Sequence, residues 1–332
     1  MALLHKLNKK AKTEINTGFG ANASDYGGRF VNKDGRPNIK KIGVGFLERT
    51  SWYHAMLAIS GWKFLGIIFA FYIAVNLFFA GIYFWAGIEN LNGISVGTTT
   101  LEQFGEAFFF SAQTFTTVGY GHVSPSGFLV SAIASAEALT GLLSLALAAG
   151  LFYGRFSKPT AYLKFSENAI IAPYKDITAF MIRLAPFKNT ALTDAEAKLT
   201  LGMIVEENGK SVNKFFPLEL EFAKANALTL NWTIVHPITE DSPLYGFTKE
   251  DFENTHGEFL IFIKAFDDMF SNTVVARSSY TFKEIVYGAK FKPMYHRNEA
   301  GSVTILDLEK LNSFTEVDIS ERNKTAGKAV SN

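Results

Sequence analysis

The segment Thr116-Thr117-Val118-Gly119-Tyr120-Gly121 decides how the whole sequence is interpreted. Its two glycines alternate with a β-branched and an aromatic residue, and glycine adopts backbone angles that other residues resist. The segment can therefore turn successive carbonyl oxygens the same way. Taken alone, such a string is more simply a turn, because short motifs often mislead. The flanking sequence has to distinguish a turn from an ion-binding strip.

Two apolar stretches of membrane-spanning length flank this segment. Residues 64–86 contain no charged side chain, and residues 127–153 contain a single charged side chain, that of Glu137. Irregular backbone at membrane depth is tolerated only where it is buried in protein or lines a water-filled cavity. The segment therefore predicts the wall of a pore. Because the chain carries it once, a closed fourfold ring requires a symmetric homotetramer.

A short helix is predicted immediately before the segment. Thr99-Thr100-Leu101-Glu102 fits a capping box with Thr99 as the cap, and the helix should run to about Phe115. The partial negative charge at its C-terminal end favours a cation there. Residues 87–126 contain no Lys or Arg, whereas both flanking regions do. The positive-inside rule then places both termini of a multi-pass membrane protein in the cytoplasm and this loop outside.

Three side chains of the second apolar stretch are candidates for function. Glu137 is ionisable at membrane depth, so we expect it either to be functional in the cavity or to be satisfied by hydrogen bonds behind the filter. Leu145 lies deeper and is expected to face the cavity. Tyr153 lies at the cytoplasmic end, where bulky rings from four chains would meet. Such rings exclude water from the ion pathway and would form a gate.

The composition predicts a protein that combines a membrane part with a soluble part, and with the strand patterns of the second half it predicts a membrane α plus all-β fold. Its 332 residues are 48% hydrophobic, with a mean hydropathy of +0.11 that lies between values typical of soluble and of polytopic membrane proteins. A net charge of +1 argues against nucleic acid. The chain has no cysteine, so it has no cysteine nucleophile and no thiolate metal site. The sequence also shows no Ser/His/Asp set, no metal-ligand spacing and no phosphate loop, so no enzyme activity and no cofactor are expected.

The predicted domains follow from these shifts in composition. Short alternating or β-branched segments after residue 155, among them 228–235 and 284–291, predict a β-sandwich. An aromatic-rich helix before the first span predicts a slide helix on the membrane surface, with a short soluble helix as the alternative. The predicted ranges are an N-terminal cytoplasmic arm 1–43, a slide helix 44–60, a pore domain 61–154 (outer helix 62–86, pore helix 100–115, filter 117–121, inner helix 127–153), a β-sandwich 155–320 and a tail 321–332.

Several stretches together resemble the inward-rectifier potassium channels, and most closely the prokaryotic members. They are residues 29–35, 117–121, 155–159, 236–238, 242–246 and 276–280. The resemblance implies that K⁺ is bound by the carbonyls of Thr117, Val118, Gly119 and Tyr120 and by the Thr117 hydroxyl, with Gly121 completing the filter. It also implies an immunoglobulin-like cytoplasmic domain whose tetramer extends the pore. The Val118 and Tyr120 side chains are expected to pack outward against the pore helix.

The resemblance also assigns gating, block and lipid positions. Tyr153 matches the bundle-crossing gate, and Ser271 with Asn272 matches the tip of a loop that forms a second constriction. Leu145 and Lys264 stand where many relatives carry acidic residues, so strong block by Mg²⁺ or polyamines is not expected, whereas Ba²⁺ is an expected blocker.

Arg49, Arg155 and Lys158 are candidates for binding an anionic phospholipid or phosphoinositide, with plain positive-inside charges as the alternative. Two rival functions remain open at this point. One is a weakly selective cation channel, and the other is a membrane-anchored receptor or enzyme.

Overall fold

The computed structural model describes residues 11, 13, 29–45, 51–94, 99–207 and 210–319. The chain divides into two compact units. One comprises Lys41–Lys158, and the other combines Met1–Lys40 with Pro159–Asn332. Arg49 and the tail 321–332 lie outside the described residues, as does most of the predicted arm.

The first unit is helical. Two of its helices, the outer helix α2 and the inner helix α4, are long and apolar enough to cross a membrane. Between them lies the shorter pore helix α3, and a two-stranded ribbon β1–β2 joins the loops on either side of it. The elements are α1 Trp52–Ala58, α2 Gly61–Ala86, a 3₁₀ turn Ile88–Asn90, β1 Leu91–Asn92, α3 Thr100–Phe115, β2 Ser124–Pro125 and α4 Phe128–Phe156.

The pore helix begins at the predicted capping box. The Thr99 hydroxyl accepts from the Glu102 N–H at 3.4 Å, and the Glu102 carboxylate accepts from the Thr99 N–H at 2.8 Å. This prediction is therefore confirmed. Within the predicted slide helix 44–60, helix α1 runs from Trp52 to Ala58, with Ser51 as its N-cap and Ile59 already extended. Residues 46–50 of that range lie outside the described residues.

The three longer helices share an apolar core. Small residues on the pore and inner helices let the helices approach closely, while aromatic residues of the outer helix fill the space between them. The buried members are Phe79, Ala80, Tyr83, Leu91, Ala107, Phe110, Val123, Val130 and Ala134. The pore helix is thus held on both sides by the spanning helices.

The second unit is a β-sandwich of two five-stranded sheets. One sheet has the order β11-β10-β6-β7, with β8 paired to β6. Its strands are β6 Leu192–Glu207, β7 Lys210–Leu218, β8 Lys224–Ala227, β10 Gly257–Asp267 and β11 Asn272–Thr281.

The other sheet has the order β12-β4-β5-β3, with β9 paired to β5. Its strands are β3 Leu163–Phe165, β4 Ala169–Tyr174, β5 Ile177–Pro186, β9 Trp232–Pro237 and β12 Ile285–Tyr287. The smaller elements are α5 Lys249–Asn254, the pairs β13 Ala289–Phe291 with β16 Phe314–Glu316 and β14 Tyr295–Arg297 with β15 Thr304–Leu306, and 3₁₀ turns at Phe282–Glu284 and Leu308–Asn312.

Aromatic and branched side chains fill the space between the two sheets. Phe180 of β5 stacks on Phe259 of β10, with ring centroids 3.9 Å apart, and Ile182, Leu201 and Ile261 are buried beside them. Two predicted strands differ from the structure. The segment 228–235 becomes a strand only at Trp232, and Gly288, with φ of +78°, divides the segment 284–291 into β12 and β13.

The described part of the N-terminal arm packs on this β unit. The buried Glu258 carboxylate accepts from the N–H groups of Phe30 at 2.6 Å and Val31 at 3.1 Å. The Arg29 guanidinium donates to the Ser279 carbonyl at 3.0 Å and pairs with Glu284. The arm is therefore fixed to β10 and β11 by its own backbone as well as by side chains.

Candidate ion-conduction pathway

The filter segment has a backbone whose handedness alternates. Thr117, Gly119 and Gly121 have φ of 61°, 53° and 82°, while Val118 and Tyr120 between them do not have positive φ. Alternation of this kind turns successive main-chain groups to one side of the chain. A non-glycine residue rarely adopts positive φ, so Thr117 is strained, as is common at functional sites.

The last turn of the pore helix anchors the start of the filter. The Gln113 carbonyl accepts from the N–H groups of Val118 at 3.0 Å and Gly119 at 3.3 Å, and the Thr114 carbonyl accepts from that of Thr117 at 3.1 Å. Within the described part of the chain, no backbone N–H donates to the carbonyls of residues 117–120. A row of unbonded carbonyls can instead replace the hydration shell of a cation.

The filter side chains do not pack within their own chain as expected. Tyr120 is 80% exposed and Val118 is 55% exposed. In a single chain, therefore, the side chains of Val118 and Tyr120 do not pack outward against their own pore helix in the way that the sequence predicted. Large exposed apolar groups beside strained backbone are typical of a surface that another subunit covers.

Glu137 does not line an open cavity, which corrects that assignment. Its side chain is fully buried between helices, where the Tyr83 hydroxyl donates to Oε2 at 2.5 Å and the Ser111 hydroxyl contacts Oε1. The alternative, a carboxyl group satisfied by hydrogen bonds behind the filter, matches this geometry. Sequence reasoning missed Tyr83 and Ser111, because a Tyr and a Ser in apolar helices give no signal of their own.

Other predicted residues of the inner helix have contrasting environments. Leu145 and Tyr153 are both exposed in the single chain. Arg155 instead turns toward the protein: its Nη1 donates to the Met56 carbonyl at the end of α1 at 3.4 Å, and its guanidinium lies 5.3 Å from the centre of the Phe64 ring. Lys158 is exposed. Arg155 thus joins α1 to α2 and α4, a contact that sequence reasoning did not foresee.

The predicted residues of the β unit lie along one hairpin. Lys264 is exposed on β10 opposite Val275 of β11, and Ser271, with φ of 47°, ends the turn just before Asn272. Buried Asp267 shapes this turn by accepting from the N–H groups of Met269 at 2.9 Å and Phe270 at 3.3 Å. Sequence reasoning missed Asp267, since its role depends on the turn geometry.

Comparisons with known proteins agree with this arrangement. The family model described as "Inward rectifier potassium channel C-terminal domain" matches residues 163–330, and the one described as "Ion channel" matches residues 57–158. The fold and the pathway define an ion channel, which is not an enzyme. The chain belongs to the inward rectifier potassium channel family.

Curated relatives cover most of the chain. The chain is 35% identical over 295 residues to inward rectifier potassium channel Kirbac3.1 of Paramagnetospirillum magnetotacticum, covering 87% of this chain and 96% of the relative. It is 26% identical to ATP-sensitive inward rectifier potassium channel 12 of Gallus gallus, covering 80% of this chain and 67% of the relative. The Mus musculus protein of the same name is also 26% identical.

Proposed function

We propose that four copies of the chain form a potassium-selective channel whose filter is residues 117–121. The observation that carries this proposal is the alternating φ of Thr117 to Gly121, together with carbonyls that accept no backbone hydrogen bond within the described residues. Four such strips around one axis provide stacked oxygen rings. In that assembly the exposed Val118 and Tyr120 side chains pack against neighbouring subunits and hold the diameter of the ring.

The pathway continues to two gates. Tyr153 is exposed on the inner helix, and four such rings close the bundle by excluding water. The hairpin tip at Ser271 and Asn272 supplies the second constriction. The chain lies in the bacterial inner membrane, which its likeness to a bacterial channel supports. Both termini are cytoplasmic, because Lys and Arg are absent from the loop 87–126 and present on both sides of it.

Rectification in this channel is weak. Leu145 presents an apolar side chain and Lys264 a cationic one at positions that would have to attract Mg²⁺ or a polyamine from the cytoplasm. An anionic lipid headgroup modulates the gate through Arg49, Arg155 and Lys158. Arg155 is suited to this because it already contacts the end of α1, so a headgroup competing for its guanidinium changes how α1 is held.

Flux into liposomes tests the proposal. Purified full-length protein is reconstituted with and without anionic lipid, and rubidium uptake is measured with Na⁺ competition and Ba²⁺ block. We expect Rb⁺ and K⁺ to permeate, Na⁺ to be excluded and Ba²⁺ to block. Equal Na⁺ and Rb⁺ uptake would instead indicate a weakly selective cation channel, and a non-tetrameric particle would overturn the filter assignment.

A further inference from the structure

Four polar side chains meet where the outer, pore and inner helices contact each other. They are Asn76 and Tyr83 of α2, Ser111 of α3 and Glu137 of α4, and each is fully buried. The Tyr83 ring also packs edge-on against Phe110 of the pore helix, with ring centroids 5.0 Å apart. Among the described residues, no Lys, Arg or His forms an ion pair with Glu137.

The orientation of the Asn76 side-chain amide can be assigned from its contacts. Its Nδ2 lies 2.7 Å from the Tyr72 carbonyl, which only accepts hydrogen bonds, so the amide nitrogen must face Tyr72. The amide oxygen Oδ1 then faces the Ser111 hydroxyl at 3.0 Å. The Ser111 hydroxyl has one hydrogen but contacts two oxygens, Asn76 Oδ1 and Glu137 Oε1. Because an amide oxygen only accepts, both contacts are hydrogen bonds when Ser111 donates to Asn76 and Glu137 supplies the other hydrogen.

The remaining contacts then determine the state of Glu137. With its hydrogen committed to Asn76, the Ser111 hydroxyl offers only lone pairs to Glu137 Oε1. Tyr83 donates its own hydrogen to Oε2 at 2.5 Å. A deprotonated Oε1 would leave one of the two Ser111 contacts without a hydrogen, whereas a protonated Oε1 donates to Ser111 and satisfies both.

We propose that Glu137 is a neutral carboxylic acid, and that its hydrogen completes a chain of hydrogen bonds which positions the pore helix against both spanning helices. This inference rests on the proposed function, because the pore helix carries the filter. Ser111 lies six residues before Thr117 on the segment that anchors the filter. Tyr83, Ser111 and Glu137 are therefore positioning residues.

A neutral acid is also what the surroundings favour. An unpaired carboxylate in an apolar, membrane-embedded site is costly, whereas a carboxylic acid can both donate and accept. Proteins use carboxylic acids held neutral in apolar sites as hydrogen-bond donors. Here the donor reaches the pore helix and the acceptor reaches the outer helix, so one residue of the inner helix joins all three.

Infrared difference spectroscopy tests the protonation state without any measurement of flux. Full-length wild-type protein in liposomes at neutral pH is compared with Glu137→Gln. We expect the carbonyl stretch of a protonated carboxyl group to be present in the wild type and lost in the variant. A difference spectrum that contains only carboxylate bands would overturn the neutral assignment.

Selective flux tests the positioning role. Glu137→Gln keeps a hydrogen-bond donor and an acceptor, so its ratio of Rb⁺ to Na⁺ uptake should stay within about twofold of wild type. Glu137→Leu keeps neither, so the same ratio should fall by about tenfold or more. Ser111→Ala and Tyr83→Phe, which delete one hydroxyl each, should lower the ratio by smaller factors. Ser135→Ala is the matched control, because among the described residues its hydroxyl bonds only within its own helix, to the Ser131 carbonyl.

The outcomes are separable. Size-exclusion chromatography establishes whether each variant assembles, and the single-hydroxyl variants remain informative if Glu137→Leu does not. An unchanged Rb⁺ over Na⁺ ratio in Glu137→Leu, or in both Ser111→Ala and Tyr83→Phe, overturns the positioning role. If wild-type liposomes show no selective flux, the proposed function fails, while the infrared result still decides the state of Glu137.

Discussion

A Cβ atom added at Gly141 would lie 1.9 Å from the carbonyl oxygen of Phe115. Gly141 belongs to the inner helix, and Phe115 is the last residue of the pore helix. The two backbones touch there because glycine has no side chain. Any larger residue at this position must push the end of the pore helix, and with it the first carbonyls of the filter.

We predict that Gly141→Ala reduces selective Rb⁺ uptake by about tenfold or more, since overpacking of this kind costs about 1–3 kcal/mol. The measurement is Rb⁺ and Na⁺ uptake by liposomes containing the full-length protein. Gly150→Ala on the same helix is the control, because its added Cβ would meet nothing within 4 Å. Indistinguishable uptake by the two variants would contradict the coupling of this contact to the filter.

A second close approach lies on the other side of the filter. Gly93, at φ of +89°, follows strand β1, and a Cβ there would lie 1.9 Å from the His122 carbonyl, directly after Gly121. Gly93→Ala should disturb the filter exit and weaken Ba²⁺ block of uptake by about tenfold, because both backbone strain and a clash act on the same loop. Gly66→Ala in the outer helix, where nothing lies within 4 Å, is the matched control. Equal Ba²⁺ sensitivity in both variants would argue against this role of the ribbon.

Local signals in the sequence predicted a good part of this fold. The capping box at Thr99 fixed the start of the pore helix, and the uncharged run before Ala86 indicated the outer helix. The small side chain of Gly141 indicated a close helix approach but not that Phe115 is its partner, and the hydroxyl of Ser111 beside Glu137 had no such signal. Each depends on residues distant in sequence that meet only after the helices pack, so composition and periodicity do not reveal them.

The N-terminal arm offers a test within the β unit. Glu258→Ala removes the acceptor of the Phe30 and Val31 N–H groups, and hydrogen bonds to a buried charged group are worth about 1.5–3 kcal/mol each. We predict faster hydrogen exchange across residues 29–38 of the full chain, by about tenfold or more. Glu250→Ala, on the exposed side of α5, should leave this exchange unchanged. Unaltered exchange in Glu258→Ala would mean that the other contacts of the arm hold it without Glu258, among them Arg29 with Glu284 and the Ser278 hydroxyl with the Lys33 carbonyl.

We predict that the buried His236 makes the free energy of unfolding depend on pH. Burial lowers the pKa of His236 below its usual 6.5, opposed by its contact with the Glu219 carbonyl. Between the folded and unfolded values the unfolded chain binds more protons, so stability rises with pH through this window and falls as the pH drops below about 6.5. Thermal unfolding of the full-length protein at about pH 5 and pH 7 should show this loss, and His236→Gln should make it smaller. An identical pH dependence in His236→Gln would remove His236 as the cause.

Charge substitutions at Lys264 on strand β10 give the most direct test of the proposed weak rectification. In the proposed tetramer four lysines face the cytoplasmic pathway, and their charge repels a polyamine before it reaches the cavity. Lys264→Glu reverses that charge, so block of Rb⁺ flux by spermine added at the cytoplasmic side should strengthen by about tenfold or more, and less at high salt. Lys264→Gln, which only removes the charge, should give an intermediate effect. If spermine blocks all three proteins equally, Lys264 does not face the permeation path, and the apolar Leu145 alone accounts for the weak block.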